Sequence, residues 1–233
     1  MKVILMYSGK GGVGKTTLAV NLAYYLHRQN LRVGICDADL NSPSVTSYIR
    51  GVNPSVKMKI TPSLVLEPSV FDGVKVSSTG LTRYNDKHFV ISDDYIAGAL
   101  HQMLLGVNWE VDFLIIDLPP GFSNIHSEIV KFFKTAKMFL VTDSKYISYA
   151  DSLFGIQAFK KLDINLIGII DNFYSAKKDK EIDSGIELYN KTIKHLQIKE
   201  SEKIDSLNSK GVPYTRDNKD ADPFFSKIFE LIK

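Results

Sequence analysis

Gly9-Lys10-Gly11-Gly12-Val13-Gly14-Lys15-Thr16-Thr17 lies between an apolar run, Val3 to Tyr7, and a stretch, Lys15 to Arg28, whose Leu18, Leu22 and Leu26 recur at helical spacing. The segment satisfies G-x-x-x-x-G-K-[ST] and stands where that motif must stand, after a strand and at the start of a helix. Gly11, Gly12 and Gly14 let the backbone curl, with Val13 between them, until several N–H groups point at one anion. The helix that follows adds the positive end of its dipole. Lys15 supplies a point charge for the β- and γ-phosphates of a nucleotide. Thr16 offers a hydroxyl to Mg²⁺, and Thr17 is within reach of the α-phosphate.

Outward from this loop the chain alternates short apolar runs with longer amphipathic ones. Strands are expected over Val3 to Tyr7, Leu31 to Cys36, Phe113 to Ile116, Met138 to Thr142 and Leu166 to Ile170. Helices are expected over Lys15 to Arg28, Asp93 to Leu105, Ile125 to Thr135, Ser148 to Leu162, Asp183 to His195 and Pro223 to Ile232. Strands with helices between them predict an α/β, three-layer, doubly wound fold with a mainly parallel sheet of seven or eight strands. Residues 1–233 read as one domain, with 52–92 as loop-rich decoration carrying β-prone pieces such as Val74 to Val76. Asn208 to Asp222 reads as a polar connection before the last helix.

The 233 residues are 44% hydrophobic, enough for a substantial core without disulfides or structural metals. The net charge of +3 permits contact with nucleic acid or acidic membrane without predicting it. The one cysteine, Cys36, has no second cysteine in the chain to pair with, which argues against a secreted-type framework. The N-terminal apolar run is too short for a signal peptide, and no apolar stretch approaches the roughly 20 residues that a membrane-spanning helix needs. The expectation is a soluble, cytoplasmic protein.

Two carboxylate segments complete the site. Asp37-Ala38-Asp39-Leu40-Asn41-Ser42-Pro43-Ser44 follows the second strand, and carboxylates at the C-terminal end of a parallel strand face the ligand crevice. Phe113-Leu114-Ile115-Ile116-Asp117 runs four apolar residues into an aspartate, so that a buried strand delivers one carboxylate to a metal. Mg²⁺ is a hard cation that prefers oxygen donors. Pro119-Pro120-Gly121 then looks like the start of a loop that a γ-phosphate orders. Loop and carboxylates together predict a P-loop NTPase that binds a nucleoside triphosphate with Mg²⁺, for which Thr16, Asp37, Asp39 and Asp117 are the candidate metal-side residues.

The form G-K-G-G-x-G-K-T-T resembles the deviant phosphate loop of the ParA/MinD/Mrp ATPases. The resemblance extends over most of the chain and is strongest to the Mrp subgroup, through DADLNSPSV, LIIDLPPG and Gly73-Val74-Lys75-Val76. It implies a homodimer in the ATP state, with Lys10 reaching the phosphates of the partner subunit's nucleotide. It also implies that Asp39 activates water, that Asp37 supports the metal, and that Asn172 contacts adenine. ATP over GTP rests on the same resemblance. Lys10, Lys15 and Asp39 are therefore the expected catalytic residues of an ATP hydrolase that regulates an unidentified protein client.

The chain departs from the subgroup at one point. Members that carry iron–sulfur clusters have a C-x-x-C pair shortly after the adenine-contacting Asn, and here Tyr174-Ser175-Ala176-Lys177-Lys178-Asp179-Lys180 stands instead. A [4Fe–4S] cluster wants about four thiolates. One cysteine per subunit of a dimer does not supply them, so a cluster-carrying role is disfavoured. A second reading is a ParA- or MinD-like positioning ATPase bound to DNA or membrane. It draws on Lys177, Lys178 and Lys180 and on the apolar stripe of the last helix, although such charge runs are usually solvated loops.

Overall fold

The computed structural model describes residues 1–52, 59–60, 66–81, 93–143, 145–174 and 193–233. Ten strands are found among them: β1 Lys2–Tyr7, β2 Val33–Asp37, β3 Lys59–Ile60, β4 Leu66–Glu67, β5 Ser69–Phe71, β6 Val74–Ser77, β7 Phe113–Asp117, β8 Lys137–Asp143, β9 Asn165–Asn172 and β10 Lys194–Gln197. The α-helices among them are α1 Lys15–Arg28, α2 Val45–Ile49, α3 Asp93–Leu104, α4 Asn124–Phe132, α5 Tyr146–Lys161, α6 Glu202–Asn208, α7 Tyr214–Asp217 and α8 Asp222–Ile232. Eight strands form one sheet in the order β10-β9-β8-β1-β7-β2-β6-β5, and β3 pairs with β4 apart from it.

Seven of the eight strands run parallel, and only β5 turns back, antiparallel to β6. The α/β fold with a mainly parallel sheet is the one the sequence predicts. Its strands read as unbroken apolar runs because both faces are covered. Successive side chains of β1 point to opposite faces. Ile4 and Met6 join the core layer beneath α1 and α8, while Leu5 and Tyr7 join the layer beneath α3, α4 and α5. Phe139 and Val141 against Met138 and Leu140 repeat the alternation in β8.

Several boundaries differ from the expectation for physical reasons. Within 52–92, residues 69–77 are two strands of the sheet rather than loop. Asp72 and Gly73 both take positive φ, 49° and 86°, as a two-residue hairpin turn requires, so that Phe71 pairs with Val74. The expected helix from Asp183 to His195 lies outside the described residues except at its end, where Lys194 and His195 belong to β10. There, pairing with β9 at the sheet edge overrides the helical spacing of Ile193 and Leu196. Lys177, Lys178 and Lys180 also lie outside the described residues.

The connection from Asn208 to Asp222 is not merely polar loop, because it holds α7. Thr215 is fully buried and donates its N–H to Asn21 Oδ1 at 2.9 Å and its hydroxyl to the Asn21 carbonyl at 2.6 Å. Asn21 donates in turn to the Thr17 carbonyl at 2.8 Å. Arg28 fixes the same segment, donating to the carbonyls of Thr215 and Asn218 and to Asp222. The last helix follows at once, with Phe225, Ile228 and Ile232 buried against α1. Its apolar stripe is therefore core. No described helix is long and apolar enough to cross a membrane.

Asn21 thus ties α7 to the first helical turn after the phosphate loop. Replacing it, Asn21→Ala, leaves the buried Thr215 N–H unpaired and is expected to cost about 1–3 kcal/mol of stability. A urea transition with a lower midpoint and unchanged slope is the predicted outcome. An unchanged midpoint contradicts it.

Candidate nucleotide site

The phosphate loop occupies the turn between β1 and α1 and is braced from three sides. Gly9 packs so closely on the backbone of α5 that a Cβ there would lie 2.4 Å from the Ser152 nitrogen, a contact no other residue type permits. Asn172, at the end of β9, donates its Nδ2 to the Val13 carbonyl at 2.8 Å. Gly14 caps α1 with φ of 82°, and a Cβ there would meet the same Nδ2 at 2.1 Å, so both backbone conformation and space demand glycine. From the third side, the Gly121 N–H donates to the Ser8 carbonyl at 2.9 Å.

The loop opens on a cavity of about 460 Å³, whose lining includes Gly11, Gly12, Lys15, Thr16, Thr17 and Asp39. Because β1 and β7 are neighbours in the sheet, Asp117 arrives beneath the start of α1. Lys15 Nζ lies 2.6 Å from Asp117 Oδ1, and the Thr16 hydroxyl donates to Oδ2 at 2.6 Å. The carboxylate is buried and so is Lys15. Thr16 Oγ1 is also 3.0 Å from Ser44 Oγ.

Asp37, on the next strand, is fully buried. Its Oδ2 accepts from the Val45 N–H at 3.0 Å and the Ser78 hydroxyl at 3.1 Å. Burial, and then the charge of Asp117, push its pKa up to about 7. Asp39 is only partly buried. Its Oδ1 accepts from the Ser42 N–H at 3.0 Å, which turns the chain sharply after β2. Lys10 is exposed on the loop. The structure thus gathers Lys15, Thr16, Asp37 and Asp117 directly, sets Asp39 on the cavity wall, and uses the Asn172 amide on the loop itself.

Oxygen donors from Thr16 and Asp117, with a second buried carboxylate nearby, suit a hard divalent cation. Mg²⁺ keeps several waters and needs no cage of side chains. Among the described residues no three of His, Cys, Asp and Glu converge as a metal cluster.

A model of the ParA family, described as the NUBPL iron-transfer P-loop NTPase, matches residues 1–216. The chain belongs to this family of P-loop NTPases. The iron–sulfur cluster carrier protein of Synechocystis is 33% identical over 172 residues, which span 73% of this chain and 49% of that protein. The chloroplastic Fe-S cluster assembly factor HCF101 of rice is 33% identical over 171 residues, 73% of this chain and 32% of that protein. The chain thus spans about half or less of the length of these curated relatives. Among solved structures, the ADP complex of a nucleotide-binding protein from Archaeoglobus fulgidus superposes with a TM-score of 0.75 at 24% identity, covering 98% of this chain and 91% of that one. The cell division ATPase MinD of Pyrococcus furiosus gives 0.71 at 22% identity, covering 99% and 98%. Both share the ParA-family fold.

Some residues at the site are not singled out by sequence reasoning. Ser44 lines the cavity beside Thr16, although nothing in its local sequence marks it. Ser78 carries no local signal, and neither do Asp205 and Asn208 of α6, which the fold brings from far along the chain to the cavity wall. His126 is the least expected. It is fully buried at the third position of α4, where a capping box ordinarily has Glu or Gln. Its Nδ1 accepts the Ser123 N–H at 3.0 Å, so the proton sits on Nε2, which donates to the Pro119 carbonyl at 3.1 Å.

Burial chiefly lowers the His126 pKa to about 4, against the hydrogen bond to the Pro119 carbonyl, which favours the charged form; the Lys15 charge lowers it further. Between about pH 4 and the ordinary histidine value, the unfolded chain therefore holds more protons at this residue than the folded one. This contribution to stability is present at neutral pH and lost on acidification, by up to about 1.4 kcal/mol per pH unit. In His126→Gln the contribution is absent. The stability difference, wild type minus His126→Gln, is expected to shrink steadily between pH 6.5 and 4 in metal-free urea titrations. A difference independent of pH contradicts the burial of a neutral imidazole.

Proposed function

We propose that this ParA-family chain is a Mg-ATP-dependent switch that dimerises around ATP, hydrolyses it to ADP and phosphate, and so regulates a partner protein. The observation that carries this reading is the convergence of Lys15 and Thr16 on the two oxygens of one buried carboxylate, Asp117, beneath a glycine loop on which Lys10 is exposed. An arriving polyphosphate competes with Asp117 for the Lys15 ammonium while the loop amides take its oxygens. Thr16 and Asp117 would hold Mg²⁺, with Asp37 behind them, and the ion when bound supplies charge neutralisation at the β- and γ-phosphates. Asp39, at the cavity wall, orients the attacking water. Lys10 acts across the subunit boundary on the partner's phosphates, and the remaining amide oxygen of Asn172 is available to the adenine.

The relatives' names point to iron–sulfur clusters as cargo. In this reading the chain does not carry a cluster on its own thiols. Cys36 is fully buried on β2, its Sγ lies 3.9 Å from the Met103 carbonyl, and burial raises its thiol well above the ordinary range. A thiol kept protonated is a poor ligand. The alternative of a DNA- or membrane-bound positioning ATPase loses one of its two motivations, since the apolar stripe of α8 is packed in the core.

Phosphate release with Mg-ATP is expected from the wild type and is expected to fall by about tenfold or more in Lys15→Ala, where the phosphate charge contact is gone. Equal release from both contradicts the assignment of the site. Anaerobic reconstitution with iron and sulfide is expected to leave substoichiometric iron after desalting. A stable stoichiometric cluster overturns the view of its cargo.

A further inference from the structure

Pro119 and Pro120 have no N–H, so the only backbone polar groups this pair offers are two carbonyls. A buried carbonyl requires a donor. The Pro119 carbonyl receives the Nε2–H of His126 at 3.1 Å. On its other side the segment is tied down by the Gly121 N–H to Ser8, and Pro120 lines the cavity beside Gly11. The imidazole cannot swing away. Its ring stacks on Phe122 at 5.3 Å and meets Tyr7 and Phe159 edge-on at 5.7 Å each. Tyr7 is the last residue of β1 before the phosphate loop. One side chain thus touches the strand that launches the loop, the helix α5 that braces it, and the carbonyl that follows the β7 carboxylate by two residues.

We propose that His126 is a positioning residue of the nucleotide site, whose Nε2–H holds the Pro119 carbonyl so that Pro120 and Gly121 stay seated against the phosphate loop. The proposal rests on the reading of the site as an ATPase for its kinetic consequence, but not for its structural one. His126 touches neither phosphate nor metal donors; it acts through the segment it holds. Its single proton has a fixed address because Nδ1 is already occupied as an acceptor from Ser123. An apolar residue of similar bulk keeps the packing and loses the donor, whereas glutamine restores both an acceptor and a donor without a titrating ring.

Amide hydrogen exchange on the nucleotide-free protein separates this role from a structural one. The Gly121 N–H reports the seated segment, and the Leu118 N–H, bonded to the Met6 carbonyl at 3.1 Å, reports the sheet just before it. In His126→Leu the Gly121 amide is expected to exchange faster while Leu118 keeps its wild-type rate, and His126→Gln is expected to restore slow exchange at Gly121. Turnover follows the same order. His126→Leu is expected to lower kcat roughly tenfold with an unchanged KM for Mg-ATP, as a displaced positioning element does, and His126→Gln to recover most of it. Equal acceleration at both amides, or no change at Gly121, overturns the proposal. If the wild type shows no turnover, the ATPase reading fails while the exchange result still decides the role of His126. Should His126→Leu not fold, ¹⁵N spectra of the wild-type imidazole decide: a proton on Nε2 supports the role, and a proton on Nδ1 overturns it.

Discussion

Asp117 accepts Lys15 on one oxygen and Thr16 on the other, and the rest of the site depends on that one carboxylate standing where it does. It stands there because β7 lies beside β1 in a parallel sheet, which brings the ends of both strands to the same edge. The loop leaving β1 must then curl back over the edge within a few residues. That is possible only because its glycines admit positive φ and tolerate the close approach of α5 and Asn172. The price of this crowding is little conformational freedom in the loop, which suits a site whose amides must be aimed before an anion arrives.

The two carboxylates at the end of β2 have different environments. Asp37 is buried and accepts from Val45 and Ser78 on one oxygen and from the Asp39 N–H on the other, and its ionisation is opposed by burial first and then by the charge of Asp117. Asp39 has turned out of the strand and reaches the cavity wall. The same short segment therefore supplies one buried carboxylate beside Asp117 and one at the cavity wall. Below this layer, the uncharged imidazole of His126 completes the support of the segment after Asp117. Each element that touches the loop has its own support in the core.

Much of the site was legible because its signals are local. Gly9 to Thr17 names its own geometry through spacing, and Phe113 to Asp117 announces a buried strand that ends in a carboxylate. The sheet was legible for the same reason, since both faces are covered and the strands read as apolar runs. What the sequence hid is non-local. Thr215 looks like a loop residue until α7 is seen bonded to Asn21, nearly two hundred residues away. Val74 to Val76 reads as β-prone, but its place in the main sheet is visible only from its pairing with β2. His126 reads as an ordinary polar position because neither the capping role nor the Pro119 carbonyl can be seen without coordinates.

Membership of the ParA family explains the phosphate loop but leaves open how two copies would divide the chemistry. If Lys10 serves the partner's nucleotide, each active site combines Asp39 of one subunit with Lys10 of the other. Mixing the separately inactive Lys10→Ala and Asp39→Ala proteins tests this directly. In the mixed dimer, one site pairs an intact Asp39 with an intact Lys10 from the opposite subunit. The account predicts that ATP turnover, absent from either variant alone, reappears on mixing and scales with the amount of mixed dimer. Turnover that stays at the level of the separate variants, with the mixed dimer demonstrably formed, would contradict a lysine acting in trans.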